Sequence, residues 1–170
     1  MKRLLVLLLA AIMCLSACSK IGADKTPPTF PQSFETDLEI RFNESEITAH
    51  WVCETLASNK FEMISPNSIN GLILEFMGST CTVTYEGLSF AMDFARFPQT
   101  AFGTELINAF ETVVTDTDIT VTQCEDSWEY KGLNSSGSFI LKQNNTTGFF
   151  EYFSVPSMDL TIVFKNFQKI

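Results

Sequence analysis

From Phe34 onward, apolar and polar side chains alternate with a period of two in run after run, and nearly every run stops at a turn signal. That period places successive side chains on opposite faces of a strand. Phe34, Leu38, Ile40 and Phe42 share one face, against Glu35, Asp37, Glu39 and Arg41. Asn43-Glu44 then reads as a turn, and Ile47, Ala49, Trp51 and Cys53 oppose Thr48, His50 and Glu54. Phe61 and Met63 make a short strand that Pro66 ends, and Leu72, Leu74 and Phe76 alternate with Ile73, Glu75 and Met77. Turns at Gly78-Ser79 and Glu86-Gly87 lead into Cys81, Val83 and Tyr85, then into Leu88, Phe90 and Met92. Further strands are expected over 119–123, 128–130, 139–141, 149–155 and 160–164, with 132–137 and 144–148 as connecting turns. Strands this short, each followed at once by a turn, form an antiparallel meander rather than a parallel sheet.

One segment breaks the rhythm. Over 104–114, Leu106, Ile107, Phe110, Val113 and Val114 recur at helical spacing, with Thr104 as the expected cap. Residues 34–170 therefore read as one mainly β (α+β) domain with one main helix.

The opening of the chain has a different logic. Lys2 and Arg3 precede twelve uncharged, mostly aliphatic residues. That is the layout of a secretory signal peptide, and the run is shorter than the ~20 residues a membrane span needs. The junction Leu15-Ser16-Ala17-Cys18 resembles the lipobox of bacterial lipoproteins. The resemblance implies that residues 1–17 are cut away, Cys14 with them. It also implies that the Cys18 thiol carries a diacylglycerol and that the new amine is often acylated. Two or three acyl chains anchor stably, at about 0.8 kcal/mol per buried methylene. Residues 18–33, with Pro27, Pro28 and Pro31, read as the lipidated tether. The expected place is the extracytoplasmic face of the cell envelope, with the cytoplasmic membrane of a single-membrane bacterium favoured.

Charge narrows the partners. Without the leader's two basic residues, nine basic side chains stand against twenty acidic ones, a formal net charge of about −11. Such a surface repels nucleic acid and anionic head groups, so no nucleic-acid partner is expected, and the membrane is reached through the anchor. Three cysteines remain besides Cys18, namely Cys53, Cys81 and Cys124. Buried free thiols and one disulfide are both open readings.

Sites for chemistry are sparse. His50 is the single histidine, on the polar side of a strand, where a solvated surface role is expected. No phosphate-cradling glycine loop is present, and no Cys-x-x-Cys pair suggests zinc. Asp116-x-Asp118 and Glu125-Asp126 fall at turns, where acids are ordinarily solvated. No catalytic residue, metal or cofactor is expected, and the chain reads as a non-enzyme.

The order of elements resembles the LolA/LolB-like outer-membrane lipoprotein carriers, a group that also takes in the RseB sensor domain and the lipid-binding lipoproteins LprG and LppX. Three stretches carry the likeness: Phe61-Glu62-Met63-Ile64-Ser65-Pro66; the glycine turn and strand from Gly78 to Tyr85; and the final hairpin, from Thr146-Thr147-Gly148-Phe149 through Phe164-Lys165-Asn166-Phe167. The resemblance implies a curved antiparallel sheet forming an unclosed half-barrel, with the helix over 104–114 against its concave side. The carriers begin with an amphipathic helix, which the prolines of the tether forbid here.

Sixteen phenylalanines, all beyond the leader, add to the apolar faces. Trp51, Phe76, Tyr85, Phe90, Trp128, Phe153 and Phe164 on the strands, with Leu106 and Phe110 on the helix, either pack as core or line a lipid-sized space. The second reading makes these nine the hydrophobic ligand-binding residues of a lipid, an acyl chain or a lipidated segment. An envelope module that senses or binds a protein partner is the alternative.

Overall fold

The computed structural model describes residues 26–96, 101–116 and 118–170; Cys18 and the Phe97-Pro98 step lie outside them. Eleven strands form one sheet: β1 (Phe34–Phe42), β2 (Ser45–Thr55), β3 (Ser58–Ser65), β4 (Ile73–Met77), β5 (Thr80–Tyr85), β6 (Leu88–Asp93), β7 (Thr120–Gln123), β8 (Ser127–Asn134), β9 (Gly137–Asn144), β10 (Phe150–Val155) and β11 (Leu160–Lys169). Their spatial order is β6-β5-β4-β3-β2-β1-β11-β10-β9-β8-β7. Every neighbouring pair is antiparallel.

The topology is two meanders joined at the middle. The first runs outward from β1 to β6. Helix α1 (Phe102–Thr115) follows, and the second meander returns from β7 to β11, which pairs with β1. Among the described residues β6 and β7 each pair on one side and are the edges of the sheet, which is an unclosed half-barrel, as expected.

Local chemistry places the tight turns where the sequence signals them. Asn43 and Glu44 both take positive φ and close the β1–β2 hairpin between Phe42 and Ser45. Glu86 (φ 49°) and Gly87 (φ 80°) do the same between Tyr85 and Leu88. Turns of this hand match the right-handed twist of the strands they join. Two expectations are corrected. Gly132 does not open a turn: β8 runs through it to Asn134, and the reversal is confined to Ser135-Ser136. Thr104 is not the cap: α1 starts two residues earlier, its N-cap position is Ala101 without a side-chain bond, and Thr104 is buried within the first turn.

Gly132 has a packing reason for its identity. A Cβ there would stand 2.4 Å from Ile119 Cδ1 and 2.6 Å from Phe139 Cζ, closer than side-chain carbons approach. A methyl there would force the Ile119 and Phe139 side chains to shift.

The core lies between the concave face of the sheet and α1. Phe34, Leu38, Trp51, Phe61, Phe139, Leu141, Phe153 and Ile162 project from the strands, and Leu106, Ile107, Ala109 and Phe110 meet them from the helix. Phe110 is the hub, with ring centroids 4.5 Å from Phe150 and 5.2 Å from Trp51.

Candidate ligand-binding face

Seven of the nine candidate residues line one continuous apolar mass. Trp51, Leu106 and Phe153 are at most 1 % exposed, and Phe76, Phe110, Trp128 and Phe164 are buried with them. Trp51 stacks on Phe61 at 5.3 Å, and Phe110 reaches Phe164 at 6.5 Å. The structure separates the other two. Tyr85 is half-buried and its hydroxyl donates to the Ser68 carbonyl (3.2 Å), while Phe90 on β6 is 55 % exposed.

Part of the filling comes from an unexpected source. Phe30 leaves the stretch read as tether and inserts its ring among Phe110 (5.9 Å), Tyr130 (5.3 Å) and Phe150 (4.8 Å). Residues 29–33 thus form a strap across one end of the half-barrel, and the Ser33 hydroxyl donates to the Ile170 carbonyl beside it. Phe30 stands four residues before the first strand, flanked by prolines and outside any periodic run, so only its apolar character marked it.

An apolar groove of about 660 Å³ runs along this strap. Phe30 and Pro31 form one wall, Leu56 and Ala57 of the β2–β3 turn a second, and Val114 near the end of α1 a third. Val114 is half exposed, so the groove opens to solvent. Volumes of 300–1,000 Å³ with mostly apolar walls are typical of small-ligand sites.

Buried polar groups fix the surroundings, and periodicity alone did not single them out. The Trp51 Nε1–H donates to Asn59 Oδ1 (3.1 Å), and Asn59 donates to the Leu56 carbonyl (2.9 Å), which holds the turn that forms the groove wall. Tyr130 donates to Gln143 Oε1 (2.7 Å), and burial pushes the Tyr130 phenol up to about 12. Glu105, buried in the first turn of α1, accepts from Asn134 at the end of β8 and from Ser136 in the β8–β9 turn. Burial raises its carboxyl above the usual range, and those two donors oppose the rise.

His50 is more than a solvated side chain. On the convex face its Nδ1 lies 2.8 Å from Asp37 Oδ1, and Asn166 donates to the other Asp37 oxygen at 2.8 Å. The Asn166 bond, then His50, hold the Asp37 carboxyl below its ordinary range. This cluster faces away from the groove. All three described cysteines are free. Cys53 and Cys81 are buried, with burial raising their thiols to about 12 and about 11, and Cys124 is exposed. Among the described residues, no group of three or more His, Cys, Asp or Glu could hold a metal ion, and no helix is long and apolar enough to cross a membrane.

No protein-family model matches the chain, and no curated protein matches it. Solved structures do. An uncharacterized conserved protein from Thermus thermophilus superposes with a TM-score of 0.55 at 9 % identity, over 82 % of this chain and 80 % of that one. A LolA superfamily protein from Nitrosomonas europaea is similar at TM-score 0.43 and 12 % identity, over 83 % and 88 % of the two chains. A chain in the structure of the CwlD amidase from Clostridioides difficile in complex with the GerS lipoprotein is similar at 0.48 and 16 %, over 72 % and 74 %. At 9 % identity the Thermus likeness establishes a shared fold: an open antiparallel sheet wrapped around a helix is an architecture that unrelated-looking sequences reach.

Proposed function

We propose that this protein is a lipid-anchored, non-enzymatic binding module of the bacterial cell envelope, and that the groove beside its strap takes an acyl chain from a lipid or a lipidated segment. The observation that carries the reading is the groove itself: apolar at Phe30, Pro31, Leu56, Ala57 and Val114, with Glu54 and Thr55 among the polar groups beside them, open to solvent, and of ligand size. Burying hydrocarbon there contributes roughly 25 cal/mol per Å². The strap that forms one wall leads back toward Cys18, so an anchored chain would hold the groove near the membrane that supplies its ligand. A hollow of about 440 Å³ on the convex face suits an acyl chain less, because Glu39 and the Arg41–Glu46 ion pair line it, whereas Glu54 is the one charged residue lining the groove. The concave interior is occupied by α1 and Phe30, so ligand entry there requires their displacement. The one histidine is tied to Asp37 on the opposite face and is not among the residues that line the groove.

Native mass spectrometry of the purified protein, paired with solvent extraction, tests the reading. A non-covalent acyl lipid is expected on the wild type, distinct in mass from the covalent anchor and released by solvent. Val114→Glu, a change at a half-exposed position, is expected to abolish it while leaving the circular dichroism spectrum intact. An empty wild type that also takes up no fluorescent fatty acid refutes the acyl reading.

A further inference from the structure

We propose that the free edge at β6 is a self-association surface, and that two copies of this chain pair β6 to β6 antiparallel about a two-fold axis through Phe90. Exposed sheet edges pair with other strands unless charges, proline, bulges or shortness prevent it. The two edges of this sheet differ in that respect. β7 has four residues and is flanked by Asp116 and Asp118 on one side and Glu125 and Asp126 on the other, so two copies of it repel. β6 has no charged residue from Leu88 to Met92 and no proline. Its neighbour β5 has no charged residue either. In a strongly acidic chain this is a neutral window, and it exposes Leu88 (77 %) and Phe90 (55 %).

The backbone chemistry selects the register. Tyr85 and Leu88 close a two-residue turn, so they exchange both hydrogen bonds, and Leu88, Phe90 and Met92 direct theirs toward β5. Ser89 and Ala91 therefore point their N–H and C=O groups off the edge. With Phe90 opposite Phe90 of the second copy, Ser89 falls opposite the other copy's Ala91, and these outward groups satisfy one another. Leu88 meets Met92 on the same face. The terminal acids do not meet: Glu86 falls opposite Phe94, and Asp93 opposite Gly87. The apolar row Phe76, Cys81, Met92 and the adjoining row Leu74, Val83, Phe90 then continue across the axis into the second copy. One strand thus complements itself in hydrogen bonding, apolar contact and charge, which makes a second copy its fitting partner.

Cysteine cross-linking of the full chain in intact cells, in a Cys124→Ser background, tests this. Phe90→Cys places two sulfurs across a non-hydrogen-bonded pair with Cα atoms about 4.5 Å apart, within disulfide range, whereas Leu133→Cys, also exposed but on β8, has no partner. On mild oxidation, the Phe90→Cys chain is expected to run as a disulfide-linked dimer at least about tenfold more abundant than for Leu133→Cys. Adding Ala91→Pro, which removes an outward donor without touching the β5 bonds, is expected to suppress the dimer. Ser89→Cys/Ala91→Cys is a second route to the same link. Dimer yields no higher than for Leu133→Cys from both variants, or yields unchanged by Ala91→Pro, overturn the proposal.

Discussion

The ring of Phe30 meets that of Phe110 nearly edge-on, 5.9 Å between centroids and 73° between planes, joining the strap to the helix that fills the half-barrel. The same ring touches Tyr130 and Phe150, so three elements depend on one residue outside the sheet. Phe30→Ala removes this wedge and leaves a hollow that the strap is too short to refill. A loss of about 2–3 kcal/mol is expected, below the full cost for a core phenylalanine because the ring is half-buried. Urea unfolding of the two proteins measures it; a loss under 0.5 kcal/mol (about the size of an ordinary surface change) would show that the strap is held by other contacts.

Two glycine-to-alanine changes are expected to have opposite signs. Gly132→Ala drives a methyl into Ile119 and Phe139 and should cost about 1–3 kcal/mol. Gly103→Ala lies in α1, where the new Cβ meets Phe61 at an ordinary 3.4 Å. Alanine's helix preference should then leave stability unchanged or raise it by up to about 1 kcal/mol. Thermal melts of both variants beside the wild type decide the matter. Equal effects would contradict the packing around Gly132.

Glu105 gives stability a predictable dependence on pH. Folding raises its carboxyl through burial, and burial raises Glu111 as well. A carboxyl with a raised folded pKa binds its proton more tightly when folded. Its favourable contribution is complete below the unfolded value near 4.5 and is lost as pH climbs through the raised folded value. Asp37 acts in the opposite sense: its lowered pKa adds stability above 3.8 that disappears as pH falls. Glu105→Gln keeps a hydrogen-bonding side chain without the charge. The stability difference between variant and wild type should therefore move in the variant's favour between about pH 4 and about pH 7, as read by urea titrations at both. A difference that stays flat across that interval contradicts the assignment.

Thiol labelling should separate the three cysteines of the domain. Cys124 is exposed and should react with a maleimide in the folded protein. Cys53 and Cys81 are buried, with thiols pushed to about 12 and about 11, and should react only when the chain unfolds. Peptide mass mapping after brief labelling checks the order. Modification of Cys53 or Cys81 as fast as Cys124 would mean that the half-barrel opens readily.

Much of the sheet was legible because its signals are local. The alternation from Phe34 to Phe42 requires only neighbouring residues, and Asn43-Glu44, Gly78-Ser79 and Glu86-Gly87 mark two-residue turns by their own backbone preferences. Helix α1 announced itself through Leu106, Ile107 and Phe110 for the same reason. Misreadings arose where distant groups decide. Gly132 looks like a turn residue until Ile119 and Phe139 are seen to cover it, and Thr104 looks like a cap until the helix starts before it.

The candidate site was legible in composition and hidden in arrangement. Alternation assigned Trp51, Phe76 and Phe153 to apolar faces, which burial bears out, but it could not tell Phe90 on the edge strand from Phe76, which packs between Phe61 and Phe94. Both sit on strands with the same pattern, and only their rank in the sheet order separates them. What the sequence determined by itself was the order and facing of most strands, the tight turns at Asn43-Glu44, Gly78-Ser79 and Glu86-Gly87, and the presence of helix α1, because each follows from side-chain period and backbone preference over a few residues. Tertiary structure alone decided that Phe30 and α1 fill the concave face, that Glu105 is buried, that the open groove lies beside the strap, and that β6 ends the sheet formed by the described residues. Those outcomes depend on contacts between residues tens of positions apart, and local periodicity holds no record of them.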